Sequence, residues 1–186
     1  MKVSQTALPD VLLIEPHRFS DTRGWFTESW NRRDFAKVGI DVEFVQDNHS
    51  LSSAPGTLRG LHYQAPPHAQ DKLVRCTRGA ILDVAVDARV GSSFYGKYVS
   101  VELSADNGRL LFVPKGFLHG FLTLQPDTEI QYKCSDYYAP DCDGSVRWDS
   151  LGIDWGLQGE PVLSEKDAVA PAFSDWLSSF TWEGAP

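Results

Sequence analysis

Short apolar runs, each closed by Gly, Pro, Asp or Asn, recur along most of the chain. Runs of strand length between turn residues build antiparallel β structure. They cover residues 42–46, 58–63, 72–76, 80–86, 97–103, 109–114, 117–124 and 128–134. This spacing predicts an all-β sandwich or barrel. Two short helices are expected besides. Asn31 caps one that runs to Val38, with Asp34 in its first turn and Gly39 at its stop; the other spans residues 174–180. Residues 140–171, rich in Gly, Pro, Asp and Trp, read as ordered loop lying over the sandwich. There is no linker, so residues 1–186 are expected to form one domain, with residues 140–186 packed on the barrel.

Composition narrows the function. Hydrophobic residues make up 42% of the 186, enough for a sizeable core. A formal net charge of −8 argues against a nucleic-acid surface, where affinity comes from neutralised phosphates. A few converging cations can still hold a small anion against that global sign. Three cysteines (Cys76, Cys134 and Cys142) include no Cys-x-x-Cys pair, so neither a disulfide framework nor a zinc ribbon is expected. The N-terminal stretch has no signal-peptide pattern, and no apolar run of about 18 residues exists. A cytoplasmic protein without a membrane partner is the expectation.

Strand alternation sorts the polar residues. Asp83 shares a face with Ile81 and Ala85, His119 with Phe117 and Phe121, and Tyr132 with Ile130 and Cys134. Three polar groups among apolar neighbours suit either a ligand cavity or a core with satisfied polar groups. In L-R-G-L-H-Y-Q (58–64), strict alternation puts Arg59 and His62 on opposite faces. Both can face one pocket only if the strand bends, and Gly60 permits a bulge.

Four chemistries compete for these residues. His62, His68, His119 and Asp83 are metal-ligand types, but Gln64 stands where a His-x-His pattern would place its second histidine. No Gly-x-Ser-x-Gly elbow or activated cysteine supports nucleophilic catalysis, and Cys76 reads as packing. Acid–base work fits better: a histidine base, Asp83 or Asp167 to orient it, a tyrosine to donate, and Lys72 or His119 to hold a developing oxyanion. The stretch 19–30 adds Arg23 and Glu28 among aromatics, and Q-D-N-H-S (46–50) adds amides. Cations, rings and amides together can hold a nucleotide.

Taken in order, F-x-D-x-R-G-x-F (19–26), Q-x-N-x-S (46–50), L-R-G-L-H-Y-Q (58–64), K-L-V-R-C-x-x-G (72–79), D-V-A-V-D-x-R (83–89), V-P-K-G-F-x-H-G-F (113–121), Q-Y-K-C-x-D-Y-Y-x-P (131–140) and L-S-E-K-D (163–167) closely resemble the dTDP-4-dehydrorhamnose 3,5-epimerase family of cupin-like sugar epimerases. The resemblance implies an all-β jelly-roll or cupin-like β-sandwich with a few short helices, a homodimer, and a reaction with no metal or other cofactor. The substrate it implies is dTDP-4-dehydro-6-deoxy-D-glucose, inverted at C3 and C5 for dTDP-L-rhamnose synthesis. It makes His62 the base, Asp167 its support, Tyr132 the acid, and Lys72 and His119 the enolate stabilisers. Arg59 would hold the diphosphate or sugar. Arg23, Phe26 and Glu28 would reach the nucleotide from the partner subunit, and Gln46, Asn48 and Tyr138 would surround it. Asp83 is expected near His62 as a second carboxylate. Leu118 departs from the family's alanine beside His119, which implies a packing change. Three alternatives stay open: an epimerase of C3 or C5 alone, a metal-dependent cupin, and a nucleotide-sugar binding module.

Overall fold

The structure, a computed structural model, describes residues 1–184. Two antiparallel sheets face each other. One has the strand order β1 (Lys2–Gln5), β2 (Leu12–Glu15), β10 (Leu110–Val113), β7 (Lys72–Arg78), β12 (Thr128–Cys134), β5 (Gln46–Ser52). The other runs β13 (Asp143–Ser145), β6 (Leu58–Gln64), β11 (Phe117–Thr123), β8 (Ala80–Asp87), β9 (Tyr98–Ser104). From β5 to β8 the chain changes sheet at every strand, and again from β9 to β12, as in a jelly roll. Among the described residues, strands β3 (Arg18–Asp21) and β4 (Gly24–Thr27) pair only with each other, as a separate hairpin.

Three apolar clusters hold the layers. Val74, Cys76, Ile81, Ala85, Phe121 and Ile130 belong to the one between the sheets. The outer face of the six-stranded sheet is covered by α1 (Arg32–Ala36) and the stretch after it, through Phe35 and Ile40. Asn31 caps this helix by accepting from the Arg33 N–H, as expected, and Gly39 ends it at φ +89° while the Ile40 N–H bonds the Phe35 carbonyl. The outer face of the other sheet is covered by the chain after residue 140, through Val146, Trp155, Trp176 and Phe180. That segment includes a 3₁₀ turn (Pro140–Cys142), β13 and the one-turn helix α2 (Glu165–Ala168).

Two expected elements are absent. Residues 42–45 are not a strand: Val42 and Phe44 pack with Trp30 over the outer cluster, and sheet pairing starts at Gln46. Residues 174–180 are not a helix. Trp176 and Phe180 both insert into the outer cluster, but Leu177 is 92% exposed. The tail instead runs alongside the end of β8, with Val90 bridging Thr181. Strands β1, β2 and β13 and helix α2 carry too few residues to have stood out by periodicity.

Candidate active site

The site begins with an irregularity in β6. His62 pairs with His119, yet Arg59 pairs with Phe121, so three steps on β6 match two on β11. A bulge of this kind reverses the alternation of side chains. Leu58 and Leu61 therefore both enter the outer cluster, and Arg59 and His62 both turn inward. Gly60 makes this possible. Its φ is +130°, and a Cβ there would lie 2.7 Å from the Gly120 Cα and 2.9 Å from the His119 carbonyl oxygen.

Asp167 locks that geometry. It sits on α2, is 2% exposed, and its N–H donates to Ser164 Oγ at 3.1 Å. Its Oδ1 lies 2.6 Å from His62 Nε2, and its Oδ2 accepts the Gly60 N–H at 3.4 Å. Burial pushes the carboxyl pKa up, but the hydrogen bond and charge of His62, with Ser164 and Gly60, outweigh it and hold the group below its ordinary value. An ionised carboxylate can only accept, so His62 donates from Nε2, and in the neutral ring the lone pair is on Nδ1.

His119 is held in the same way by a different carboxylate. Its Nε2 lies 2.6 Å from Asp83 Oδ1, and both residues are buried. Asp83, expected near His62 as a second carboxylate, bonds the histidine beside it in the sheet rather than His62 itself. Alternation does put Asp83 on the inner face, but the carboxylate bonds the histidine of the neighbouring strand β11. Two His–Asp pairs thus stand side by side on one wall.

The opposite wall carries the tyrosine and the lysine. Tyr132 and Cys134 alternate with Lys133 on β12, and Tyr132 packs against the inter-sheet cluster. Lys72 is the register partner of Cys134. Burial pushes the Lys72 ammonium below its ordinary value, against the pull of nearby Cys134, Asp143 and Asp83. Burial also raises the Tyr132 pKa, so its phenol is protonated at neutral pH. The Cys76 and Cys134 thiols are pushed up to about 11 by burial, which makes them poor nucleophiles.

On the edge strand β5, Gln46 and Asn48 are the register partners of Cys134 and Tyr132. Gln46 Nε2 donates to Asn48 Oδ1 at 2.9 Å, and Gln46 Oε1 accepts the Tyr138 N–H at 2.9 Å. Arg59 reaches across to this strand, donating to Ser52 Oγ and the Leu51 carbonyl at 3.2 Å each. Tyr138 remains exposed at the rim, its hydroxyl 3.4 Å from Asp143 Oδ2. Asp143 and Lys166, which alternation did not single out, form a 2.5 Å ion pair at the same rim. The signal for Lys166 was its place just before Asp167 in L-S-E-K-D.

Three expected members lie elsewhere on this chain. Arg23, Phe26 and Glu28 belong to the separate hairpin and the residue just after it; Arg23 pairs with Asp21 at 2.5 Å, and Phe26 is 68% exposed. The histidines do not converge as a metal-binding cupin needs. His68 Nδ1 turns to Asp136 at 3.1 Å, and Gln64 spends its amide on the backbone of His68, Tyr137 and Ala139. No group of three or more His, Cys, Asp or Glu poised to hold a metal occurs among the described residues.

A cupin-like β-sandwich whose two inner walls carry a carboxylate-backed histidine and a tyrosine defines an acid–base site, with a proton acceptor on one wall and a donor on the other. Residues 5–175 match the family model described as dTDP-4-dehydrorhamnose 3,5-epimerase. The Sinorhizobium fredii enzyme of that name is 50% identical over 98% of this chain and 94% of its own. The Legionella pneumophila dTDP-6-deoxy-D-glucose-3,5-epimerase, solved with dTDP-4-keto-L-rhamnose, superposes with a TM-score of 0.94 at 39% identity, covering 98% of this chain and 99% of that one. The Bacillus anthracis dTDP-4-dehydrorhamnose 3,5-epimerase, solved with TDP and pyrophosphate, gives 0.90 at 46% identity, covering 92% and 99%. The chain belongs to the dTDP-4-dehydrorhamnose 3,5-epimerase family.

Proposed function

We propose that the protein epimerises dTDP-4-dehydro-6-deoxy-D-glucose at C3 and C5, giving dTDP-4-dehydro-L-rhamnose for dTDP-L-rhamnose synthesis. The observation that carries this reading is the His62–Asp167 pair on one inner wall with Tyr132 and Lys72 on the other. The C4 ketone acidifies the protons on C3 and C5. His62 Nδ1 takes one, and Asp167 stabilises the imidazolium through Nε2. The electron pair moves onto the C4 oxygen, where the Lys72 ammonium and His119 stabilise it. Tyr132 returns a proton from the opposite face, which inverts the carbon. His62 then loses its proton to solvent and Tyr132 regains one, and a second round at the other carbon completes the conversion. No metal enters any step.

In this reading Arg59 anchors the diphosphate, Gln46, Asn48 and Tyr138 surround the nucleotide, and a partner subunit supplies Arg23, Phe26 and Glu28. Two features support a homodimer: a hairpin with Phe19, Trp25 and Phe26 exposed, and the open edge of β5 beside the site. Free, mostly buried cysteines fit a reducing cytoplasm. No helix among the described residues is long and apolar enough to cross a membrane.

The test is incubation with dTDP-4-dehydro-6-deoxy-D-glucose in deuterated water with excess chelator, followed by proton NMR. Exchange with inversion at both carbons is expected. Inversion at one carbon only would replace this reading with a monofunctional epimerase, and exchange at neither would sink it.

A further inference from the structure

One buried charge has no part in the reaction just described. Asp83 is fully buried on the inner face of β8, and only its Oδ1 is engaged, by the His119 Nε2–H. Its Oδ2 has no hydrogen-bond partner among the described residues. An unpaired buried carboxylate oxygen costs stability, and such a cost persists where function requires it. Lys72, on the facing wall, is in the complementary position. Its ammonium has no hydrogen-bond or ion-pair partner among the described residues.

The charges around Lys72 come from Cys134, Asp143, Asp83 and Lys166. The Cys134 thiol, at about 11, is neutral near pH 7. Asp143 is already neutralised by Lys166 at 2.5 Å. Asp83 is the remaining carboxylate, and its free oxygen has nothing else to compensate.

We propose that Asp83 is a positioning residue: its unpaired carboxylate oxygen keeps Lys72 charged inside the sandwich, and its other oxygen turns His119 Nδ1 toward the substrate. This rests on the epimerase reading for its catalytic consequence, but the Lys72 charge can be measured without substrate. Burial alone favours the neutral amine, which cannot stabilise an enolate oxygen. A carboxylate across the interior offsets that burial without occupying the ammonium's hydrogen-bond donors, which stay available to the sugar.

The experiment is Asp83→Asn, alone and combined with Lys72→Met. Lysine-selective carbon-13 NMR should show Lys72 losing its proton at lower pH in the Asp83→Asn protein than in the wild type. The exchange rate at C3 and C5 should fall about 10- to 100-fold with KM changed less than about threefold. The basic limb of the rate profile should move to lower pH. Thermal stability should be unchanged or higher, because a buried unpaired charge has been removed. On the Lys72→Met background, Asp83→Asn should cost little more. An unmoved Lys72 titration overturns the proposal whatever the substrate proves to be. So does a rate loss that comes with a lower Tm and an unmoved basic limb, or full additivity in the cycle. A wild type that titrates as expected but exchanges neither proton would overturn the epimerase reading and leave the Asp83–Lys72 coupling standing.

Discussion

His62, Tyr132 and Asp167 make separable contributions, and each can be removed alone. His62→Asn should lower exchange at both carbons about 100- to 10,000-fold, the range expected for a lost general base. Tyr132→Phe leaves the base in place, so deuterium exchange should outlast inversion; NMR that resolves the two separates them. Asp167 also couples the site to stability. Its folded pKa lies below the ordinary 3.8, so its stabilising effect is complete above that value and is lost as pH falls through the folded pKa. Asp87, buried and bonded by Arg89 and Ser92, is lowered in the same sense. Acid unfolding monitored by circular dichroism should therefore steepen below about pH 4, and Asp167→Asn should flatten that dependence.

At the scale of elements, the β6 bulge is the feature on which the site depends. Gly60→Ala puts a methyl 2.7 Å from the Gly120 Cα at a φ that side chains rarely adopt. It should cost at least about 2 kcal/mol, visible as a lower Tm or as loss of soluble protein. Even where folding survives, straightening the bulge would return Arg59 and His62 to opposite faces, and activity would fall with no chemical group removed. The tail has a quieter task. Trp176 packs in the outer cluster and donates from Nε1 to the Tyr63 hydroxyl at 2.9 Å, next to His62 in sequence. Trp176→Ala should cost about 3 kcal/mol in a denaturant titration, chiefly by opening a cavity behind β6.

For the whole molecule, the hairpin is the informative part. Among the described residues it joins neither large sheet, and it exposes Phe19, Trp25 and Phe26 on one projection. Sedimentation should report a dimer. Phe26→Ala should weaken that dimer or raise KM while leaving the Tm of the sandwich near the wild-type value. A Phe26→Ala protein with neither effect would mean that the hairpin faces solvent alone. The interior pairs each histidine with its own carboxylate, which leaves acid–base groups rather than a ligand set, and activity in excess chelator is the matching expectation.

The sequence by itself determined the composition of the site and the class of fold. Alternation put Asp83, His119 and Tyr132 on inward faces, turn residues marked most of the strands, and the ordered motifs named the family. Local chemistry suffices for this, because strand periodicity and capping depend on neighbours in the chain. What the chain order could not supply was the pairing of groups far apart along it. Asp167 meets His62 across 105 positions, and Asp83 chooses His119 over His62 because β8 and β11 are adjacent in the sheet. The 42–45 and 174–180 segments went astray for the same reason. Each has a local pattern that permits one element, and each is held in another shape by a surface it covers. Gly60 shows both sides. The residue type permitted a bend, but only the close approach of β11, with Gly120 beneath it, made the bend necessary and brought Arg59 and His62 into one site.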